Sequence, residues 1–271
     1  MTLRVELLII GNEILSGHTL DTNSQWLAQR LLELDLPVHQ IVVIEDRIEL
    51  IAKAIKASLE RQTTLLITTG GLGPTFDDVT AEGLAHSINA PLKLHTRALQ
   101  MVKKRYQELK GQKLVESSEI TSAREKMAWL PSGAEPLSNS VGTAPGIHLQ
   151  IKNSHIYCLP GVPQELYAIF MEGIAPQLAS FAEKVVVHDL IHVPILDESV
   201  LAPLIASLMQ DTQGVYLKSL PRPYQSRQPL RVAITATKST RAQAEQLLSR
   251  TIDKLKKITY AHRQLEPMLD E

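Results

Sequence analysis

The sequence predicts an α/β protein in which a mostly parallel sheet is covered by helices and is followed by a small α+β unit. Two observations lead to this prediction. Short apolar runs alternate with amphipathic helical segments through the first part of the chain, as in repeated β-α units. Near residue 180 the pattern changes, and strands begin to follow one another directly. We therefore expect two domains, residues 1–178 and residues 180–271.

Strands and helices alternate at the start of the chain. The predicted strands, each a continuous apolar run, are residues 3–10, 41–44 and 64–67. The predicted helices, in which apolar side chains recur every three or four positions, are residues 23–34, 47–61 and 81–88. Continuous apolar runs are typical of parallel strands buried on both faces. Their carboxyl ends lie at one edge of such a sheet, where ligands bind in open α/β folds.

The remaining segments complete the first domain and form the second. Residues 95–126 are mostly helical, residues 146–160 form a hairpin, and a helix over 163–178 ends the domain. The second domain is predicted in the order strand 185–193, helix 199–209, strand 214–220, strand 230–236 and helix 240–258. A proline-rich loop over 221–229 joins the two later strands.

Composition limits the partners and the compartment. The net charge of −1 gives no general attraction to nucleic acid or to an anionic membrane. No apolar run approaches the roughly 20 residues that cross a bilayer, and the N-terminus lacks the pattern of a signal peptide. The single cysteine suits a reducing compartment. We expect a cytoplasmic protein that acts on a small molecule.

A glycine-rich turn between the third strand and the next helix is the strongest signal, and residues 68–80 read TTGGLGPTFDDVT. Glycines allow a ligand close to the backbone, and the free N–H groups at a helix start favour an anion. Asp77 and Asp78 lie at the same place and would repel a phosphate unless a divalent cation lay between them. The turn therefore predicts a metal-dependent phosphate site. The alternative is that one aspartate only caps the helix.

Three further polar residues fall near the same edge of the predicted sheet. Glu13 follows the first strand, Asp46 follows the second, and Asn23 begins the first helix. Each has an ordinary alternative, because Glu13 would suit an exposed loop, while Asp46 and Asn23 would suit helix caps. The sequence alone leaves both possibilities open for each residue.

Four segments resemble the motifs of the CinA family (competence/damage-inducible protein A), whose first domain belongs to the molybdopterin-binding superfamily. They are residues 11–17 (GNEILSG) with 21–23 (DTN), residues 68–80, residues 139–146 (NSVGTAPG) and residues 159–165 (LPGVPQE). The resemblance implies catalytic roles for Asp77 and Asp78, which it also makes ligands of a Mg²⁺-type cation together with Glu13 and Asp46. The ligand contacts that it implies are Asn23, Thr69, Gly70, Gly71, Gly73, Thr80, Asn139 and Gly146.

The resemblance also implies an activity, the hydrolysis of ADP-ribose to AMP and ribose 5-phosphate. Two alternatives stay open. One is a molybdopterin-binding or adenylyl-transferring protein of molybdenum cofactor biosynthesis, and the other is a non-enzymatic ligand-binding protein linked to competence.

The resemblance implies, in addition, a homodimer and a KH-like second domain. Full-length relatives carry a nicotinamide mononucleotide deamidase domain, which we expect this 271-residue chain to lack. Residues 180–271 contain no Gly-x-x-Gly loop, the part of a KH domain that clamps a nucleic-acid backbone. We therefore expect no nucleic-acid binding.

Overall fold

The computed structural model describes residues 3–181, 184–220 and 228–265. The chain divides into a first unit, Met1–Leu32 with Leu36–Phe181, and a second unit, Glu33–Asp35 with Ala182–Glu271. Most of the proline-rich loop predicted over 221–229 lies outside the described residues.

The first unit contains a six-stranded sheet. Its strands are β1 (Val5–Ile10), β2 (Val38–Ile44), β3 (Leu65–Thr69), β6 (Glu135–Leu137), β7 (Gly146–Ile151) and β8 (Ser154–Leu159), and a separate pair is formed by β4 (Leu92–Leu94) and β5 (Trp129–Pro131). The strand order is β2-β1-β3-β8-β7-β6. The first four of these strands pair in parallel, whereas β7 and β6 are antiparallel additions. The predicted fold class, a mostly parallel sheet with helices, is confirmed.

Helices follow the strands as the sequence pattern predicts. They are α1 (Asn12–Leu15), α2 (Asn23–Glu33), α3 (Ile48–Glu60), α4 (Thr80–Ser87), α5 (Thr96–Gly111), α6 (Ser122–Lys126), α7 (Pro163–Ile169) and α8 (Ala175–Leu178). The short helix α1 is absent from the sequence prediction, because four residues are too few to show a helical period. Apolar side chains of α3 and α4, among them Ile51, Ile55 and Leu84, pack with Leu8 and Leu66 of the sheet.

The predicted helix over 163–178 is interrupted. A π-helical segment, Phe170–Ile174, separates α7 from α8, and a 3₁₀ turn, Ala179–Phe181, follows. Pro176 lies in α8, directly after this segment. Proline has no N–H, and its ring clashes with the carbonyl four residues earlier. A wider turn at this point removes that clash, so the sequence prediction of one regular helix was wrong here.

The second unit is a small antiparallel α+β module. It contains β9 (Val185–Val193), α9 (Glu198–Gln210), β10 (Val215–Leu220), β11 (Leu230–Lys238) and α10 (Arg241–Leu265). The strand order is β10-β11-β9. Its core joins Leu201 of α9 and Leu255 of α10 to Leu217 and Ile234 of the sheet. Among the described residues, no helix combines the length and the apolar character needed to cross a membrane.

Candidate functional site

The carboxyl ends of β1, β2 and β3 form one edge of the sheet. Because β1 pairs in parallel with both neighbours, Ile10 lies opposite Ile44, and Ile9 lies opposite Thr69. The segments that leave these strands carry Glu13, Asp46 and the glycine turn. The parallel topology therefore brings together residues that are far apart in the sequence.

Two glycines of the turn have a backbone conformation that other residues rarely adopt. Gly70 has a φ of 99° and Gly71 a φ of 66°. A Cβ atom on Gly70 would lie 2.1 Å from the Ile10 carbonyl oxygen, and one on Gly71 would lie 2.3 Å from Thr80 Oγ1. Such short contacts exclude a larger side chain without rearrangement. Glycine is therefore required here by the backbone and by close packing.

Hydrogen bonds fix the start of the turn and engage one of the N–H groups that were expected to be available to an anion. The Gly70 N–H donates to the Leu159 carbonyl at 2.9 Å, so it is not the free donor that we expected from the sequence. The Thr80 N–H donates to the Gly71 carbonyl at 3.0 Å, and the Thr80 hydroxyl donates to the Gly70 carbonyl at 2.8 Å. Thr69 and Thr80 are buried. These residues hold the turn in shape.

The N–H groups without hydrogen-bond acceptors begin one residue later in the turn. Within the part of the chain that the structure describes, the N–H groups of Gly71, Leu72 and Gly73 have no hydrogen-bond acceptor. Successive N–H groups without acceptors in a glycine-rich turn form an anion-binding concavity. The part of the turn whose N–H groups are available to an anion is therefore Gly71–Gly73.

Asp77 and Asp78 share one hydroxyl donor. Asp78 Oδ2 accepts the Thr75 N–H at 2.8 Å, and the Thr75 hydroxyl lies within hydrogen-bond distance of both carboxylates. A hydroxyl has a single proton, so it serves one carboxylate at a time. The hydrogen bond from Thr75, the N–H of Asp77 itself and the charge of Lys126 lower the pKa of the Asp77 carboxyl.

The helix-cap alternative for these aspartates is wrong. The N-cap of α4 is Val79, and no side chain caps that helix. Asp46 is not a cap either, because the N-cap of α3 is Arg47, without a side-chain bond. Instead, Asp46 Oδ2 accepts the Asn12 N–H at 2.7 Å.

The negative charges near the three strand ends act on Asp46. Burial raises the pKa of Asp46, and the negative charges of Glu13, Asp77 and Asp78 raise it further, against the Asn12 hydrogen bond. Glu13 is exposed and folds back over Gly11, where a Cβ atom would lie 2.6 Å from Glu13 Oε1. The site therefore concentrates negative charge.

A Mg²⁺-type cation fits this site through a small number of protein ligands. Among the described residues, no three His, Cys, Asp or Glu side chains are grouped closely enough to hold a metal by themselves. Mg²⁺ is usually bound by one or two carboxylates together with substrate phosphates and water. Asp77 and Asp78, which crowd around one hydroxyl beside open N–H groups, suit that mode of binding.

Asn23 lies close to the glycine turn through residue 161. Its Nδ2 donates to the Gly161 carbonyl at 2.8 Å, and a Cβ atom on Gly161 would lie 3.5 Å from the Gly70 Cα. The Asn23 Oδ1 atom is buried and has no hydrogen-bond partner among the described residues. Asp21, rather than Asn23, accepts the Ser24 N–H at the start of α2. Asn23 therefore has one buried acceptor atom without a partner among the described residues.

The structure places Asn139 in a separate loop and Gly146 at the start of β7. Asn139 Nδ2 donates to the Ala144 carbonyl and to Glu165 Oε2, and its Oδ1 accepts the N–H groups of Val141 and Gly142. Gly146 lies in β7, where a Cβ atom would be 3.2 Å from the Cys158 carbonyl oxygen. Both residues have a structural reason for their identity. Asn139 also lines a cavity of about 510 Å³ beside α5.

Lys126 and Trp129 are site residues that sequence reasoning missed. Lys126 Nζ donates to the Thr75 carbonyl at 2.6 Å. Both residues line a shallow crevice together with Gly71, Gly73 and Asp78. Lys126 stands in a charged helical segment without a motif, so only the fold shows its proximity to the turn.

Fold and site together define an α/β domain with a glycine-rich turn at the carboxyl ends of parallel strands. The family described as probable molybdopterin binding domain matches residues 6–180, and the chain belongs to that family. The expected membership of the molybdopterin-binding superfamily is confirmed.

Individual relatives refine this assignment. A protein of Aeropyrum pernix is 40% identical over 256 residues, which cover 94% of this chain and 92% of the relative. A protein of Pyrococcus horikoshii is 38% identical over 205 residues, with 76% and 79% covered. The crystal structure of CinA from Thermoplasma acidophilum, described as having unknown function, is 34% identical with a TM-score of 0.59. That similarity covers 65% of this chain and 97% of the CinA chain, which confirms the resemblance to CinA.

Proposed function

We propose that the first unit binds the phosphate of a molybdopterin-type compound at Gly71–Gly73, with a Mg²⁺-type cation held by Asp77 and Asp78, and supports adenylyl transfer in molybdenum cofactor synthesis. The observation that carries this proposal is the juxtaposition of three open N–H groups with two carboxylates around the Thr75 hydroxyl. Membership of the molybdopterin-binding family supports the ligand class.

Each residue of the site has a distinct role in this proposal. The N–H groups of Gly71–Gly73 bind phosphate oxygens and stabilise the charge that develops on them during transfer. When bound, the cation neutralises phosphate charge and acts as a Lewis acid. The Asn23 Oδ1 atom accepts a hydrogen bond from a hydroxyl or amino group, because it is buried and lacks a donor of its own.

Hydrolysis of ADP-ribose is the second candidate function, and the paired carboxylates favour it. A site that only retains a phosphate needs the N–H groups alone, whereas two carboxylates beside them suit metal-assisted attack by water. In that reaction water attacks one phosphorus atom, the bridging P–O bond breaks, and AMP and ribose 5-phosphate leave. The similar CinA structure is of unknown function and does not decide between the two candidates.

One pair of assays with the full chain separates the candidates. The first supplies molybdopterin, ATP and Mg²⁺ and measures adenylylated pterin with release of pyrophosphate. The second supplies ADP-ribose and Mg²⁺ and measures AMP. We expect product in the first assay and its loss with a chelator or in the D77N/D78N double variant, whereas D253N, an exposed aspartate of α10, serves as the control.

The outcomes have clear meanings. AMP release from ADP-ribose without pterin adenylylation would establish the second candidate. Ligand binding without turnover in either assay would leave a binding protein, the non-enzymatic alternative. Absence of both binding and turnover would contradict the proposal.

A further inference from the structure

The carboxylates of the site lack close ion-pair partners. Among the described residues, Glu13, Asp46, Asp77 and Asp78 have no Lys, Arg or His nitrogen within 4.0 Å. A phosphate added to this region brings more negative charge. A second positive group near the bound phosphate would therefore strengthen its binding beyond what one cation supplies.

Lys126 provides a positive charge at the right place. It is the last residue of α6, and its ammonium donates to the Thr75 carbonyl at 2.6 Å. Thr75 is the residue whose N–H and hydroxyl bind the two aspartates. The ammonium therefore lies beside the cation-binding part of the turn without forming an ion pair there.

The ammonium of Lys126 has donors to spare. An ammonium carries three N–H groups, and the Thr75 carbonyl takes one of them. In the described part of the chain Lys126 has no other hydrogen bond or ion pair. Two donors are therefore available toward the crevice that Lys126 lines.

The crevice joins Lys126 to the anion-binding turn. Gly71, Gly73, Asp78 and Trp129 line it as well. The Trp129 side chain is partly exposed, and its Nε1 reaches Glu125 only at the long distance of 3.4 Å. The crevice therefore offers N–H donors, an ammonium and an aromatic wall within one small space.

We propose that Lys126 is a phosphate-binding residue, whose two uncommitted N–H groups contact oxygens of the phosphate bound at Gly71–Gly73. This inference rests on the proposed function, since it takes the phosphate at the turn as given. The ligand class is a phosphate ester with an attached ring system, for which Trp129 supplies an apolar contact. If Lys126 only held the Thr75 carbonyl in place, its positive charge would contribute nothing to phosphate binding.

The test uses the full chain and AMP in the presence of Mg²⁺. Calorimetry measures the affinity of wild type, K126M, K126R and the control K110M, which changes an exposed lysine at the end of α5. We expect K126M to weaken AMP binding by about 10- to 100-fold, as for loss of a hydrogen bond to a charged group. K126R should retain most of the affinity, and K110M should match wild type.

Salt dependence separates phosphate contact from a purely structural role. If Lys126 contacts phosphate, added salt weakens AMP binding less in K126M than in wild type, because one charge interaction is gone. Thermal unfolding checks that K126M is folded. An unchanged affinity in K126M, or a reduced affinity with the wild-type salt dependence, would overturn the inference. Failure of wild type to bind AMP would contradict the proposed function itself.

Discussion

At the scale of single residues, the site is defined by carboxylates that do not cap helices. The carboxylates of Asp77 and Asp78 both lie within hydrogen-bond distance of the Thr75 hydroxyl. The negative charges of Glu13 and of both turn aspartates raise the pKa of Asp46. Like charges at close range are costly without a counter-charge. In the function that we propose, a cation bound together with phosphate would remove this cost, which would give the arrangement a physical reason.

Substitution of Asp78 tests the charge directly. Asn keeps the shape of Asp and can still accept the Thr75 N–H, but it lacks the negative charge that holds a cation. We expect D78N to lower Mg²⁺-dependent AMP binding by at least about tenfold, which corresponds to about 1.4 kcal/mol. D253N is the matched control. Affinity within twofold of wild type in D78N would refute the role of this carboxylate.

Substitution of Gly71 tests the conformation of the turn. A valine at this position would need a left-handed backbone and would place Cβ 2.3 Å from Thr80 Oγ1. We expect G71V to lower both AMP affinity and the free energy of unfolding, by about 1–3 kcal/mol for the backbone strain. G111A is the control, because a Cβ atom on Gly111 meets nothing within 4 Å. Wild-type affinity and stability in G71V would contradict the account of the turn.

Sequence reasoning located the turn but not all of its contacts. The glycines and aspartates form a continuous string, so their proximity is visible without a structure. The Gly70 N–H is not free because it donates to the Leu159 carbonyl. Leu159 belongs to β8, which lies about ninety residues later in the chain and pairs with β3. Lys126 reaches Thr75 from a separate helix. Contacts of this kind depend on tertiary packing and leave no local pattern.

At the scale of elements, the β7–β8 hairpin contains a histidine pair that the sequence analysis did not anticipate. His148 Nε2 lies 3.1 Å from His155 Nδ1, and the His148 ring stacks on Tyr157. The sequence predicts the hairpin itself over residues 146–160, and its two strands are joined by Lys152 and Asn153. The pair is a consequence of register, because Tyr157 lies opposite His148 and His155 is two positions earlier on the same face.

This pair predicts a loss of stability in mild acid. Burial lowers the pKa of both histidines, and the charge of His155 lowers that of His148 further. The unfolded chain therefore binds protons more readily than the folded chain below about pH 6.5, so the free energy of unfolding falls as the pH decreases through this range. Carboxylates contribute to such a loss mainly at lower pH.

Thermal unfolding between pH 7.5 and 5.5 (about the range in which histidine titrates) measures this effect. We expect the melting temperature of the H148Q/H155Q double variant to depend less on pH than that of wild type. H188Q, which changes an exposed histidine of β9, should retain the wild-type dependence. Equal pH dependence in the double variant and wild type would contradict the assignment.

At the scale of the whole molecule, the last residues of the first unit, 176–181, pack against its sheet. Leu178 is buried, Gln177 accepts a hydrogen bond from Tyr157, and Phe181 packs against His155. A fragment that ends at residue 175 loses these contacts. Stability of the first unit therefore depends on α8 and on the 3₁₀ turn after it.

Two fragments test this end point. We expect residues 1–181 to unfold cooperatively and residues 1–175 to be less stable by about 2–5 kcal/mol, because a fully buried leucine is lost with its neighbours. Denaturant unfolding of both fragments measures the difference. Equal stability would show that the last segment does not contribute to the core.

Sedimentation of the full chain tests the homodimer, which stays a prediction from the family resemblance.

The central claim is that phosphate and a divalent cation bind side by side at the glycine turn. A crystal structure of the full chain with AMP and Mn²⁺ tests it most directly, because Mn²⁺ gives an anomalous signal in place of Mg²⁺. We expect the Mn²⁺ peak about 2.2 Å from a carboxylate oxygen of Asp77 or Asp78, with the phosphate on the N–H groups of Gly71–Gly73. A phosphate bound elsewhere, such as in the cavity beside α5, with no Mn²⁺ at these aspartates, would contradict the claim.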